Sequence, residues 1–211
     1  MKSSSLLRLF LITLLVSGCT TLKEEGASGV VGNLGGTRFY ALSSLPPATI
    51  SVSTLRIGVG PLQIPRLLNR PQIVSRKNSN EINMAELHQW GGSYREELIQ
   101  VMTDNLSALL KTDRIEQYPW KFAFKPNYQV RIHIEQFDGQ LGKNIILKAR
   151  WRLLKNNKEL LSKLSLINIP IKGKTYGDYV KAQSKALAVF SRQIVAKIKQ
   201  LKKLRRLQSI R

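Results

Sequence analysis

Cysteine occurs once in the 211 residues and histidine twice. A single thiol excludes an intrachain disulfide framework and any Cys-based structural zinc site. Acidic side chains are scarce as well, with 13 Asp and Glu against 34 Lys and Arg, for a formal net charge of +21. The 43% of hydrophobic residues is enough to bury a core, which excludes an intrinsically disordered chain. At this length one domain is the default, and a large multidomain enzyme is excluded. The charge excess points to an anionic partner such as nucleic acid, a lipid headgroup surface or an acidic protein, or else to a solvated basic surface. Composition does not choose among these.

The familiar catalytic arrangements are missing too. No G-x-S-x-G elbow is present to expose a nucleophilic serine. The two imidazoles, His88 and His133, lack a partner at the H-E-x-x-H spacing of a zinc helix, so no metal site is expected. His133 falls on the polar face of a strand, and His88 in a loop before the first helix. Gly173, Lys174 and Thr175 resemble the end of a P-loop, but that motif requires glycine where Asn168 stands. They read instead as a turn into the last helix. Gly58 and Gly60 lack the third glycine of a dinucleotide fingerprint. The chain is therefore expected to be neither an enzyme nor a cofactor carrier, although 13 acids leave room for an unmarked carboxylate pair.

The N-terminus carries the most specific signal. Residues 1–18 place Lys2 and Arg8 ahead of an apolar-rich run from Leu9 to Val16, the tripartite shape of a secretory signal and too short for a permanent span. Leu15 to Cys19 (LVSGC) looks like the bacterial lipobox, with the lone thiol at the position that accepts lipid. The competing reading is a buried cysteine after a core helix. A lipobox implies an S-diacylglycerol and an N-acyl chain on Cys19. At about 0.8 kcal/mol per buried CH₂, several chains anchor the protein essentially permanently. Thr20 stands where many inner-membrane lipoproteins have Asp, so the expected location is the outer membrane, facing the periplasm. Loss of Lys2 and Arg8 lowers the charge only to +19. That location removes nucleic acid from the possible partners.

Residues 19–37 are rich in Gly and small residues and read as a flexible tether. Residues 38–204 are expected to form one domain, and 205–211 a basic tail. Arg38–Leu42 is β-prone. Leu55–Leu62 reads as a half-buried strand ended by Pro61 and Pro65. QIVSR and EINM flank a hairpin turn at residues 77–80. Ser93 caps a helix, with Glu96 completing a capping box and Glu97 near the positive helix end. Tyr94, Leu98, Val101, Met102, Leu106, Leu109 and Leu110 form its apolar stripe. Tyr128–Phe137 alternates Tyr128, Val130, Ile132 and Ile134 against Gln129, Arg131, His133 and Glu135, and Asp138 with Gly139 reads as a turn. Residues 145–154 and 160–171 flank a hairpin tip at 155–158. A last helix, about Tyr176 to Leu204, carries Val180, Leu187, Phe190, Ile194, Ile198 and Leu201. From Lys197 onward its charges are all basic, a solvated end or a contact for an anionic membrane.

The order of these segments resembles the PqiC (paraquat-inducible protein C) family of ABC-type transport auxiliary lipoproteins. The residues that carry the resemblance are Phe39, Tyr40 and Leu42; Pro65, Leu68, Arg70 and Ile73; Trp90; Asn105 and Leu106; Phe137 and Gly139; and Tyr179, Val180 and Ser184. Family members often show W-A-x-P-L where this chain has Trp90, Gly91, Gly92, Ser93 and Tyr94. The resemblance implies a single α/β domain, a mixed and mostly antiparallel sheet packed by two main helices. It also implies intermembrane lipid transport, in which the lipoprotein sits on the inner leaflet of the outer membrane and docks a periplasmic conduit of MCE-domain proteins of the PqiB type. A homo-oligomeric ring at the end of such a conduit would suit closed symmetry. Pro65, Leu68, Arg70 and Trp90 are the candidate partner-facing residues. The alternatives are an envelope assembly lipoprotein handling lipopolysaccharide and an envelope enzyme with an unrecognised site.

Overall fold

Alternation of apolar and polar residues builds the spine of the molecule. The computed structural model describes residues 36–51 and 54–208, with side chains through Leu204. The signal sequence, Cys19 and nearly all of the tether lie outside the described residues. Three long strands, β6 (Tyr128–Gln140), β7 (Asn144–Lys155) and β8 (Lys158–Pro170), form an antiparallel meander. Asn156 and Asn157, both at positive φ, close the β7–β8 hairpin, as the Asn-Asn tip predicts. On the other edge of β6 lie β2 (Ile57–Gln63), parallel along its first half, and β3 (Gln72–Arg76), parallel at its far end. Beyond them come β5 (Ile115–Gln117) beside β2, β4 (Ile82–Trp90) antiparallel to β3, and β1 (Arg38–Tyr40) parallel to β4. The result is the expected α/β architecture, an eight-stranded mixed sheet with mostly antiparallel pairing and two helices.

The helices α1 (Tyr94–Leu110) and α2 (Tyr176–Gln208) bury their predicted stripes on one face of this sheet. Ser93 caps α1, its side chain accepting from the Glu96 N–H. Thr175 and Asp178 cap α2 reciprocally. The Thr175 hydroxyl accepts from the Asp178 N–H, and the Asp178 carboxylate accepts from the Thr175 N–H and hydroxyl. Gly173, at φ +139°, lies so close to that carboxylate that no Cβ fits, so Gly173, Lys174 and Thr175 are indeed the turn into the last helix. At the centre of the core Trp151 of β7 is 0% exposed, meets Phe190 of α2 edge to face at 6.4 Å, and donates its indole N–H to Ser165. Each such large apolar side chain stabilises the fold by about 1.5–3 kcal/mol through burial.

The structure corrects the sequence reading at several points. β2 runs through Pro61 to Gln63, because a register shift between Val59 and Leu62 spares the missing proline donor its ladder partner. Residues Ile57–Gly60 of β2 are also buried on both faces rather than one, since the Trp120 ring lies over Gly58. β4 continues to Trp90, so His88 lies on a strand and not in a loop. Asp138 and Gly139 do not turn the chain. β6 carries on to Gln140, and Gly139 is needed because the β7 backbone at Asn144 occupies the space of a Cβ. Gln129, expected outward, is buried and donates to the Gly60 carbonyl at 2.9 Å. α2 extends to Gln208, into the segment read as a tail. The short strand β5 has no counterpart in the sequence reading.

Candidate functional site

Of the residues Pro65, Leu68, Arg70 and Trp90, the first three lie in the stretch between β2 and β3, and the Trp90 N–H at the end of β4 donates to the Pro71 carbonyl beside Arg70. Pro65 precedes a single 3-10 turn, Arg66–Leu68. Two of the four are core residues, however. Leu68 is buried, and Trp90 stacks on Tyr94 at 4.3 Å beneath the start of α1. Only Pro65 and Arg70 reach the surface, and Arg70 turns its guanidinium onto the Met84 sulfur. Trp90 packs the end of β4 against α1, so as a partner-facing surface these positions supply two residues, not four.

The chain enters the domain beside the end of β4. After β1, residues 41–51 form a strap laid along α1. The Leu42 N–H donates to Glu97 Oε1 at 2.7 Å, the Leu45 N–H to Asn105 Oδ1 at 2.6 Å, and the Ser51 N–H to the Lys111 carbonyl at 3.0 Å. The Ser43 N–H reaches across to Ser184 of α2 at 3.0 Å. Irregular backbone cannot satisfy its own donors, and polar residues on both helices supply the acceptors. Burial raises the Glu97 carboxyl above its ordinary pKa, with the Leu42 N–H pulling the other way.

A buried polar hub joins β3, β6 and α2. Asp138, 2% exposed, accepts from Arg76 Nε at 2.8 Å and from Gln136 at 2.7 Å. The Tyr179 hydroxyl accepts from the Gly139 N–H at 3.0 Å and donates to the Val74 carbonyl at 2.8 Å. Asp138 holds the Arg76 guanidinium protonated by its hydrogen bond, while burial and the Asp138 charge push the Tyr179 phenol up. Paired and hydrogen-bonded in this way, the hub is structural.

Neither histidine sits in a reactive constellation. His88 stacks on Tyr176 at 4.2 Å and bonds the Tyr40 hydroxyl at 2.7 Å; burial and then the Arg38 charge lower its pKa, which favours the neutral ring. His133 bonds Gln63 at 3.0 Å on the opposite, helix-free face of the sheet. Among the described residues no group of three or more His, Cys, Asp or Glu is placed to hold a metal, and no helix is long and apolar enough to cross a membrane.

The helix-free face is the chemically distinctive surface. Register sets Arg131 opposite Arg152 and His133 opposite Arg150 across β6 and β7. These four side chains, with Pro61, Gln63 and Ile132, line a concavity of about 370 Å³. Glu135 neutralises part of it, pairing with Lys148 at 3.0 Å and Arg150 at 3.2 Å, and these cations hold its pKa below the usual carboxylate value. The alternation of β6 and β7 sends these cations outward, but only the register shows that they converge.

Compared with known proteins, the chain matches the model of a family described as an ABC-type transport auxiliary lipoprotein component over residues 40–195. No curated protein matches its sequence. Among solved structures, an uncharacterized protein is 16% identical with a TM-score of 0.64, the alignment covering 77% of this chain and 99% of that one. A Xanthomonas campestris protein assigned to the family model DUF330 is 15% identical with a TM-score of 0.62, over 75% of this chain and 93% of that one. At these identities the likeness establishes the fold.

Proposed function

Given that the chain belongs to the PqiC-like family of ABC-type transport auxiliary lipoproteins, we propose that it is the outer-membrane lipoprotein of an MCE-type lipid transport system. Anchored through acyl chains on Cys19 and facing the periplasm, it docks a periplasmic conduit of PqiB-type MCE proteins to the outer membrane. The observation that carries this reading is the pairing of a lipobox at Cys19 with a family domain over residues 40–195. The internal chemistry supports a binding role, since the buried polar groups of the hub are committed to holding strands and helices together. A lipid leaving a hydrophobic conduit needs a receiving end at its target bilayer, and a tethered domain that performs no covalent step meets that need.

The test is affinity purification of the intact lipoprotein from detergent-solubilised envelopes, with mass spectrometry of the proteins and lipids recovered. An MCE-domain protein together with phospholipid is the expected result. Recovery of an outer-membrane assembly barrel with no MCE protein would overturn the proposal in favour of lipopolysaccharide handling.

A further inference from the structure

The helix-free sheet face sets like charges directly against each other. Arg131 and Arg152 are directly opposed across the β6–β7 ladder, an arrangement that costs stability in an antiparallel pair. Arg152 has a distant acid in Glu159 at 3.7 Å, and Arg150 shares Glu135 with Lys148. Arg131 has no ion pair among the described residues; its guanidinium makes a long bond of 3.4 Å to Gln129. Three guanidiniums and the His133 ring thus line one concavity of about 370 Å³, with no carboxylate among the described residues of its wall. Arg131, set against Arg152 with no ion pair of its own among the described residues, breaks a local pairing rule, and such violations concentrate at functional positions.

A second observation concerns what flanks the concavity. On β8, the next strand over, Leu164 stands opposite Arg150 and Leu166 opposite Lys148. These leucines are 43% and 70% exposed, on the same helix-free face as the arginines. An amphiphile with an anionic, planar-donor-seeking head and an apolar tail fits this layout, because guanidinium forks bind phosphate oxygens bidentately. A free phosphate would use the arginines and leave the leucines in water.

We infer that the concavity between β2, β6 and β7 is a headgroup site for a glycerophospholipid, with Arg131, Arg150 and Arg152 as phosphate donors and Leu164 and Leu166 supporting the start of the acyl chains. The inference deepens the lipid-docking proposal and rests on it for the choice of ligand. It adds a defined site at which the domain itself holds a lipid, separate from the anchor on Cys19.

The test is calorimetric titration of the full-length lipoprotein, in a non-ionic detergent at low ionic strength, with dihexanoyl phosphatidylglycerol and separately with inorganic phosphate. The lipid is expected to bind saturably and at least about tenfold more tightly than phosphate, the leucines supplying the difference. The double variant R131Q/R152Q is expected to weaken lipid binding about tenfold or more per guanidinium removed. Lipid affinity unchanged in that variant would overturn the site, and phosphate binding as tight as the lipid would overturn the lipid assignment. Thermal melting keeps folding separate from binding. Relief of the Arg131–Arg152 repulsion should leave the variant melting at or above wild type, and a lower melting point would overturn the argument from repulsion. Failure to recover an MCE protein from envelopes would sink the transport proposal and leave this titration unaffected, so the two fail separately.

Discussion

Glu97 shows how one side chain can serve two masters. As an acid in the first turn of α1 it suits the helix dipole. The fold also half-buries it, gives Oε1 to the strap at Leu42, and leaves Oε2 buried without a partner among the described residues. Its pKa is raised by that burial. For an acid shifted upward, the stabilising contribution is full below the ordinary value of 4.5 and is lost as pH rises through the folded value. Glu97→Gln keeps an acceptor for Leu42 and removes the buried charge. It is expected to raise the melting temperature at pH 7 by an amount worth less than about 1 kcal/mol, because the group is partly solvated. By about pH 4 the two proteins should melt together. Paired melts at these two pH values check it, and a lower melting point for the variant at pH 7 would show that the dipole outweighs desolvation.

At the scale of elements, α2 holds the sheet through the residues its periodicity announces. Phe190→Ala is expected to cost about 3–5 kcal/mol, through lost burial and the cavity left over Trp151. Exposed Lys199→Ala, on the same helix, should stay within about 0.5 kcal/mol. Denaturant midpoints of the two variants measure the contrast. Both helix stripes and most of the strand alternation were legible in the sequence because a local period fixes which face is apolar. What escaped was set by distant partners. Asp138 and Gly139 look like a turn until Arg76 arrives to pair the acid and the β7 backbone arrives to require the glycine. Pro61 looks like a terminator until the bulge in β2 accommodates it. β5 is only three residues long and owes its existence to a parallel edge on β2. The candidate sites divide along the same line. Cys19 stands in a contiguous motif, whereas the convergence of Arg131, Arg150 and Arg152 depends on how β6 registers against β7. Conversely, Leu68 and Trp90 belong to two recognisable motifs, and both are buried in the core.

For the molecule as a whole, the proposal makes one residue responsible for where the protein resides. Cys19→Ala should move it from the membrane pellet to the soluble periplasmic fraction, with the folded domain intact by circular dichroism; fractionation followed by immunoblotting reads the outcome. Retention in the pellet with the signal sequence removed would reveal a second membrane attachment. The strap gives this anchoring a mechanical side. Any pull that reaches the domain from its N-terminal side meets three residue pairs between β1 and β4, then the separate bonds at Leu42, Ser43, Leu45 and Ser51. These attachments are loaded one after another, whereas the sheet beneath them is loaded all at once. The strap is expected to yield first under such a pull, freeing residues 36–51, whose contour at about 3.3–3.6 Å each is about 55 Å, less the distance they already span along α1. On the anchoring proposal, the strap is the domain's own slack line, a reserve of reach beyond the tether.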